Sequence, residues 1–99
     1  MKKLYKEVKY FTSKILCDSN VFNYLNKLKA EIKEVEEDTK QIEEYADCLI
    51  ALFGASNSAG ITYDELKNIA LNKMVINKNR TWEKQPDGTF QHIKNETKT

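Results

Sequence analysis

Four acidic residues stand out by type and spacing: Glu31-x-x-Glu34 and Glu44-x-x-Asp47. A separation of three puts each pair on one side of a helix, about one turn apart. The pairs are also symmetric about Thr39: Glu34 and Glu44 each lie five residues from it, Glu31 and Asp47 each eight. If the chain folds back there as a helical hairpin, the four carboxylates converge. Unpaired, they repel at short range. A hard divalent cation relieves that repulsion, and Mg²⁺ takes oxygen ligands while keeping several waters. The plainer alternative is a solvated acidic face. Both pairs lie off the apolar stripes of their helices, and Glu36, Glu37, Asp38 and Glu43 show that acid is plentiful nearby.

A second pattern runs along the segment after Gly60. Leu66, Ile69 and Ala70 define an apolar face, and at about 100° per residue the same face is continued by Lys73, Asn77 and Arg80. Cations on an inward face need partners. Those partners are either the acidic residues of the hairpin or the phosphates of a ligand, for which Arg80 offers a planar donor fork and Lys73 a compact charge.

These residues need elements to position them. Residues 1 to about 16 are amphipathic through Leu4, Val8, Phe11 and Ile15. Asp18 or Ser19 is placed to cap a second helix carrying Val21, Leu25, Leu28, Ile32 and Val35 as one stripe. The chain turns near Thr39, with Asp38 or Thr39 as the next cap. A third helix holds Ile42, Ala46, Leu49, Ile50, Leu52 and Phe53, is the most apolar, and fades from Gly54 to Gly60. Thr62 with Glu65 forms a capping box for a fourth helix from Tyr63 to about Arg80. Pro86-Asp87-Gly88, between Trp82 and Phe90, signals a turn that closes a short hairpin, and 94–99 reads as a polar, frayed tail. The expected fold is all-α, a bundle of about four helices in a single domain, 1–99, with its core at about 19–82 and a C-terminal hairpin or tail at 83–99.

Composition narrows the function. Sixteen Lys and Arg stand against 15 Asp and Glu, so the basic excess that a nucleic-acid binder uses on phosphates is missing. Cys17, Cys48 and the lone His92 lack the spacing of a zinc site and are too few for a disulfide framework. The two cysteines are expected as buried thiols in a reducing compartment. The longest apolar stretch falls well short of the roughly 20 residues of a membrane span, so a cytoplasmic protein is expected. A 99-residue chain also has a small core, for which self-association is a ready stabiliser.

The two acidic pairs, the helix reading Lys73-x-x-x-Asn77-x-x-Arg80-Thr81-Trp82 and the tail Asp87-Gly88 through Gln91-His92-Ile93 together resemble the MazG-like all-α nucleoside triphosphate pyrophosphohydrolases. The similarity is greatest to the small, often phage-encoded dATP/dGTP diphosphohydrolase-like branch, and it spans about residues 25–93. The resemblance implies a helical enzyme that uses Mg²⁺, with Mn²⁺ as a substitute. It would cleave a nucleoside triphosphate, a purine deoxynucleotide in this branch, to monophosphate and pyrophosphate. It maps the metal onto Glu31, Glu34, Glu44 and Asp47, with one of these carboxylates or a neighbour orienting or deprotonating the attacking water, a role we assign to Glu34. Substrate phosphate maps onto Lys73, Asn77 and Arg80, and a homodimer or homotetramer is implied. The alternative is a degenerate member that binds a nucleotide or a protein partner without catalysis. Trp82 is either a base-stacking residue or an aromatic packed on its own core. His92 is either a phosphate contact or a surface hairpin residue, and Tyr5, Tyr10, Tyr24 and Tyr45 are read as core-edge or interface residues.

Overall fold

The computed structural model describes residues 1–93. The expected tail at 94–99 lies outside the described residues. Four helices, α1 (Lys2–Lys14), α2 (Val21–Glu37), α3 (Ile42–Ser58) and α4 (Tyr63–Lys78), are followed by two short strands, β1 (Trp82–Lys84) and β2 (Phe90–His92). The all-α class and the closing hairpin are as expected from the sequence. The chain divides into two compact units, Met1–Tyr63 and Asp64–Thr99.

In the first unit α3 is the shared neighbour of α1 and α2. The cap of α2 is not Asp18 or Ser19 but Asn20. Its Oδ1 accepts from the Asn23 amide at 3.1 Å while the Asn23 side chain accepts from the Asn20 amide at 2.9 Å. This reciprocal box satisfies two backbone donors at once, which a hydroxyl one residue earlier in the chain is not placed to do. At the turn, Asp38 and Thr39 do not cap α3. Gln41 holds that position without a side-chain bond. Asp38 instead folds the loop, accepting from the Lys40 amide and from Gln41 Nε2, each at 3.1 Å. Those two bonds, the Gln41 one first, hold the Asp38 carboxyl below its usual range.

α3 does not fade at Gly54. It continues to Ser58 because that stretch is buried: Ala51, Phe53, Gly54, Ala55 and Ser56 form the centre of the core. A Cβ on Gly54 would lie 2.8 Å from Cδ1 of Tyr24, so glycine is what lets the α2 ring lie against the α3 backbone. On the other side, Tyr5 of α1 meets Phe53 edge-on at 4.8 Å, and its hydroxyl bonds to Ser56 Oγ at 2.9 Å and to the Ile61 carbonyl at 2.7 Å. α3 ends in a Schellman motif. Gly60, at φ +82, donates to the Asn57 carbonyl and Ile61 donates to that of Ser56, both at 3.0 Å. Cys17 is exposed and Cys48 half-buried, not the two buried thiols expected. Cys17 falls in the turn after α1.

In the second unit α4 ends at Lys78, two residues short of Arg80, where Asn79 Nδ2 turns back onto the Val75 carbonyl at 2.9 Å. No residue of α4 is buried, and Ile69, Leu71, Met74, Val75 and Ile76 are each about half exposed. Of the face expected to point inward, Leu66, Asn77 and Arg80 are half-buried, whereas Ile69, Ala70 and Lys73 are exposed. The hairpin pairs Trp82 with His92 and Lys84 with Phe90. Its turn is closed by the Gly88 amide on the Gln85 carbonyl at 2.9 Å, with Gly88 at φ +90. Asp87 Oδ1 braces it, accepting from Thr89 Oγ1 at 2.7 Å and the Thr89 amide at 3.0 Å.

Two outcomes follow from this packing. Gly54→Ala gains helix propensity but forces a rigid buried ring to move. A net loss of about 1–2 kcal/mol is expected in urea denaturation. The Thr89 bonds hold the Asp87 carboxyl low. The ionised form is thus favoured in the folded hairpin, and its stabilising contribution is complete above the unfolded value of about 3.9. It is lost as pH falls through the lower folded-state value. The Trp82 indole resonance should report hairpin loosening in that acid range, and Asp87→Asn should flatten the dependence.

Candidate metal centre and active site

The inner face of α2 carries Tyr24, Leu28, Glu31 and Val35, one stripe at helical spacing. Of the expected stripe, Val21, Leu25, Leu28 and Val35 are half-buried, and Ile32 is turned outward, 46% exposed. Glu31 therefore lies on the buried face and not off it, only 7% exposed. Burying a carboxylate is costly unless it is paired or hydrogen-bonded. Lys27, one turn back on the same helix, supplies one partner: its Nζ lies 2.8 Å from Glu31 Oε1. The hydrogen bond and charge of Glu31 push the Lys27 pKa up, with smaller contributions from Asp47 and Glu34.

Across the hairpin, α3 brings two more carboxylates to the same place. One oxygen from each of Glu31, Glu44 and Asp47 lies within 4.8 Å of the others. The predicted convergence of α2 and α3 thus unites three of the four acidic residues. Glu34, a turn further along α2, stands outside this trio and is exposed, yet it remains within electrostatic reach. Burial first, then the charges of Glu34, Asp47, Glu31 and Glu43, push the Glu44 carboxyl up. Burial, then the charges of Glu31, Asp47 and Glu44, push the adjacent Cys48 thiol up as well. The trio offers hard oxygen donors at mixed depth: Glu31 buried, Glu44 half-buried, Asp47 exposed. That donor set suits a divalent cation that keeps part of its hydration shell.

The remaining predicted residues sit on the second unit. Lys73 is exposed, whereas Asn77 and Arg80 are half-buried. Asn77 anchors the segment after α4: its carbonyl accepts from the Arg80 amide at 3.3 Å and from Trp82 Nε1 at 2.9 Å. Trp82 thus spends its indole N–H within its own unit and meets His92 edge-on at 6.0 Å. Arg80 Nε is buried without a hydrogen-bond partner, a donor left open.

Two residues of this region were not singled out for chemistry from the sequence. Lys27 was legible in principle, since it precedes Glu31 by four residues, the spacing of a helical ion pair. Tyr24 was not: its aromatic character shows only that it packs. Together with Phe11, Thr12, Leu16, Ile50 and Ala51, these residues line a cavity of about 200 Å³ that also reaches Glu31 and Asp47.

With that geometry in place, comparison with known proteins is informative. The dATP/dGTP pyrophosphohydrolase family matches residues 6–99. A dATP/dGTP diphosphohydrolase of Salmonella phage PMBT28 is 34% identical over 77 residues, which is 77% of this chain and 26% of that protein. The chain thus spans about a quarter of the length of this curated relative. A solved cyanophage S-2L MazG-like pyrophosphohydrolase, bound to dGDP and three catalytic Mn²⁺ ions per active site, is similar in fold. It has a TM-score of 0.79 at 24% identity, over 92% of this chain and 94% of that one. Sequence match and fold agree, and the chain belongs to the dATP/dGTP pyrophosphohydrolase family, a family of enzymes.

Proposed function

We propose that this protein is a divalent-metal-dependent pyrophosphohydrolase that cleaves a purine deoxynucleoside triphosphate to monophosphate and pyrophosphate. The observation that carries the reading is the Glu31–Glu44–Asp47 trio, three carboxylates within 4.8 Å where a buried acid and two acids from the facing helix meet. Their donor chemistry fits Mg²⁺ or Mn²⁺. The metal, when bound, neutralises phosphate charge and lowers the pKa of bound water. The solved relative's dGDP and Mn²⁺ support both substrate class and cofactor type.

The chain's own residues then divide the work. Glu31, Glu44 and Asp47 hold the cation, and Glu34, exposed beside them, completes the set and orients the attacking water. As the water oxygen adds to phosphorus, Glu34 takes its proton and the bond between the α- and β-phosphates breaks, with the electron pair leaving on pyrophosphate. Lys73, Asn77 and the open Arg80 Nε are donors for substrate phosphate. Trp82, its N–H already engaged, has only its ring to offer a base. The uncovered apolar residues of α4 support a homodimer or homotetramer, since a row of half-exposed Ile, Leu, Met and Val is costly in water. Among the described residues no helix is long and apolar enough to cross a membrane. A cytoplasmic enzyme fits that observation.

A nucleotide panel with Mg²⁺ or Mn²⁺ tests the proposal: dATP and dGTP should release pyrophosphate. Binding without products would instead favour a non-catalytic family member. Glu34→Gln should lower kcat by about 10²–10⁴ with KM little changed, the usual worth of a positioned base. Asp47→Asn separates metal binding from folding. Without metal it should raise the melting temperature, because like charges are relieved. It should also abolish the stabilisation by added Mn²⁺, which at 100 times Kd amounts to about 2.7 kcal/mol for the unaltered chain. Light scattering should give a mass of two or four chains.

A further inference from the structure

We infer that the Lys27 ammonium and the divalent cation compete for Glu31: Lys27 is the counter-ion that holds this carboxylate in its buried place, and it gives the carboxylate up when the cation binds. The inference rests on the proposed metal centre at Glu31, Glu44 and Asp47 and adds to it a positioning residue.

The first observation is the pair itself. Lys27 Nζ lies 2.8 Å from Glu31 Oε1, at the four-residue separation of a helical ion pair. Glu31 also belongs to the carboxylate trio, whose oxygens lie within 4.8 Å of one another. One buried carboxylate thus serves two positive groups. A divalent cation binds carboxylate oxygen at about 2.0–2.6 Å. Set on Glu31, it brings a second positive charge to the same side chain, and the two repel at short range. The contact with Lys27 and the contact with the cation therefore oppose each other.

The second observation decides which partner moves. The Lys27 side chain is 65% exposed and that of Glu31 9%. Lysine carries a strongly hydrated charge on a flexible stem, so its ammonium has water to return to. Glu31, on the inner face of α2, has little. Release of the lysine leaves the carboxylate where it is, already set for the cation. Lys27 also lines one cavity with Glu31 and Asp47, so the exchange takes place at an open wall and not inside packed core.

The third observation is the balance of charge. The charged form of Lys27 is favoured first by the hydrogen bond and charge of Glu31, then by the charges of Asp47 and Glu34. The ammonium thus lies in the field of acids from both helices. It sets one positive charge against the three carboxylates of the trio. A divalent cation brings twice that charge to the same field, and the difference favours the exchange.

Lys27→Met keeps the stem and removes the charge. In EDTA it should lower the melting temperature by about 5 °C, because a buried carboxylate loses its partner. Titrated calorimetrically with Mn²⁺ alone, it should bind about tenfold more tightly than the unaltered chain, because the cation displaces no resident charge. Lys27→Arg keeps the charge and should bind Mn²⁺ no more tightly than the unaltered chain. A merely structural lysine lowers the melting temperature equally with and without Mn²⁺ and leaves the affinity unchanged, which overturns the inference. Weaker Mn²⁺ binding by Lys27→Met overturns it too, since Lys27 then assists the cation.

A second measurement needs no variant. Adding Mg²⁺ to the unaltered chain should move the Lys27 Nζ resonance to that of a free lysine side chain. A resonance that stays in place while Mg²⁺ binds overturns the exchange, and if Lys27→Met does not fold, this resonance decides alone. Pyrophosphate release is scored separately. An unaltered chain that binds Mn²⁺ but cleaves no nucleotide removes the hydrolase reading and leaves the exchange to these measurements. A chain that binds neither cation removes both.

Discussion

The arrangement turns on one buried charge. Glu31 sits on the inner face of α2, and everything near it answers to the cost of keeping a carboxylate there. Lys27 offsets part of that cost from the same helix, at 2.8 Å. Glu44 and Asp47 increase it from the facing helix, because like charges within 4.8 Å repel. A fold that gathers acids in this way is balanced for a cation. Burial first, and then this negative field, raise the Glu44 carboxyl and the Cys48 thiol.

What brings the acids level is a short turn and a close helix contact. Asp38 ties residues 38–41 into a tight connection through Lys40 and Gln41, so α2 and α3 reverse with little slack. Gly54 then admits the Tyr24 ring to the α3 backbone. One face of α2 thus does two jobs at a separation of seven residues: Tyr24 packs the hairpin, and Glu31 presents a carboxylate to the helix opposite. α1 completes this unit through Tyr5, whose hydroxyl ties α1 to the end of α3. The cavity is what remains between the α1 edge and the hairpin.

The second unit is built on a different principle. α4 buries none of its residues, and its order at the C-terminal end comes from local bonds: Asn79 to Val75, and Trp82 to the Asn77 carbonyl. The hairpin after it is held by a braced turn and three residue pairs. A half-exposed apolar helix with cations at its end resembles a surface awaiting contact more than a finished core.

Much of this was legible in the residues alone. Helical periodicity marked four helices, Pro86-Asp87-Gly88 marked the hairpin, and the symmetry of the acidic pairs about Thr39 brought α2 and α3 together. Those are local signals, set by side-chain spacing and turn chemistry within a few residues. Which acids actually meet was not local. It depended on how far α2 is rotated about its axis, and the Tyr24 ring against Gly54 set that rotation, turning Glu31 inward and leaving Glu34 at the rim. The continuation of α3 through Gly54 had the same cause, since a glycine that ends a helix in isolation extends one when a ring must fit against it. The unpaired Tyr24 hydroxyl was likewise invisible in the sequence, because whether a buried donor finds a partner is decided only once three helices have closed around it.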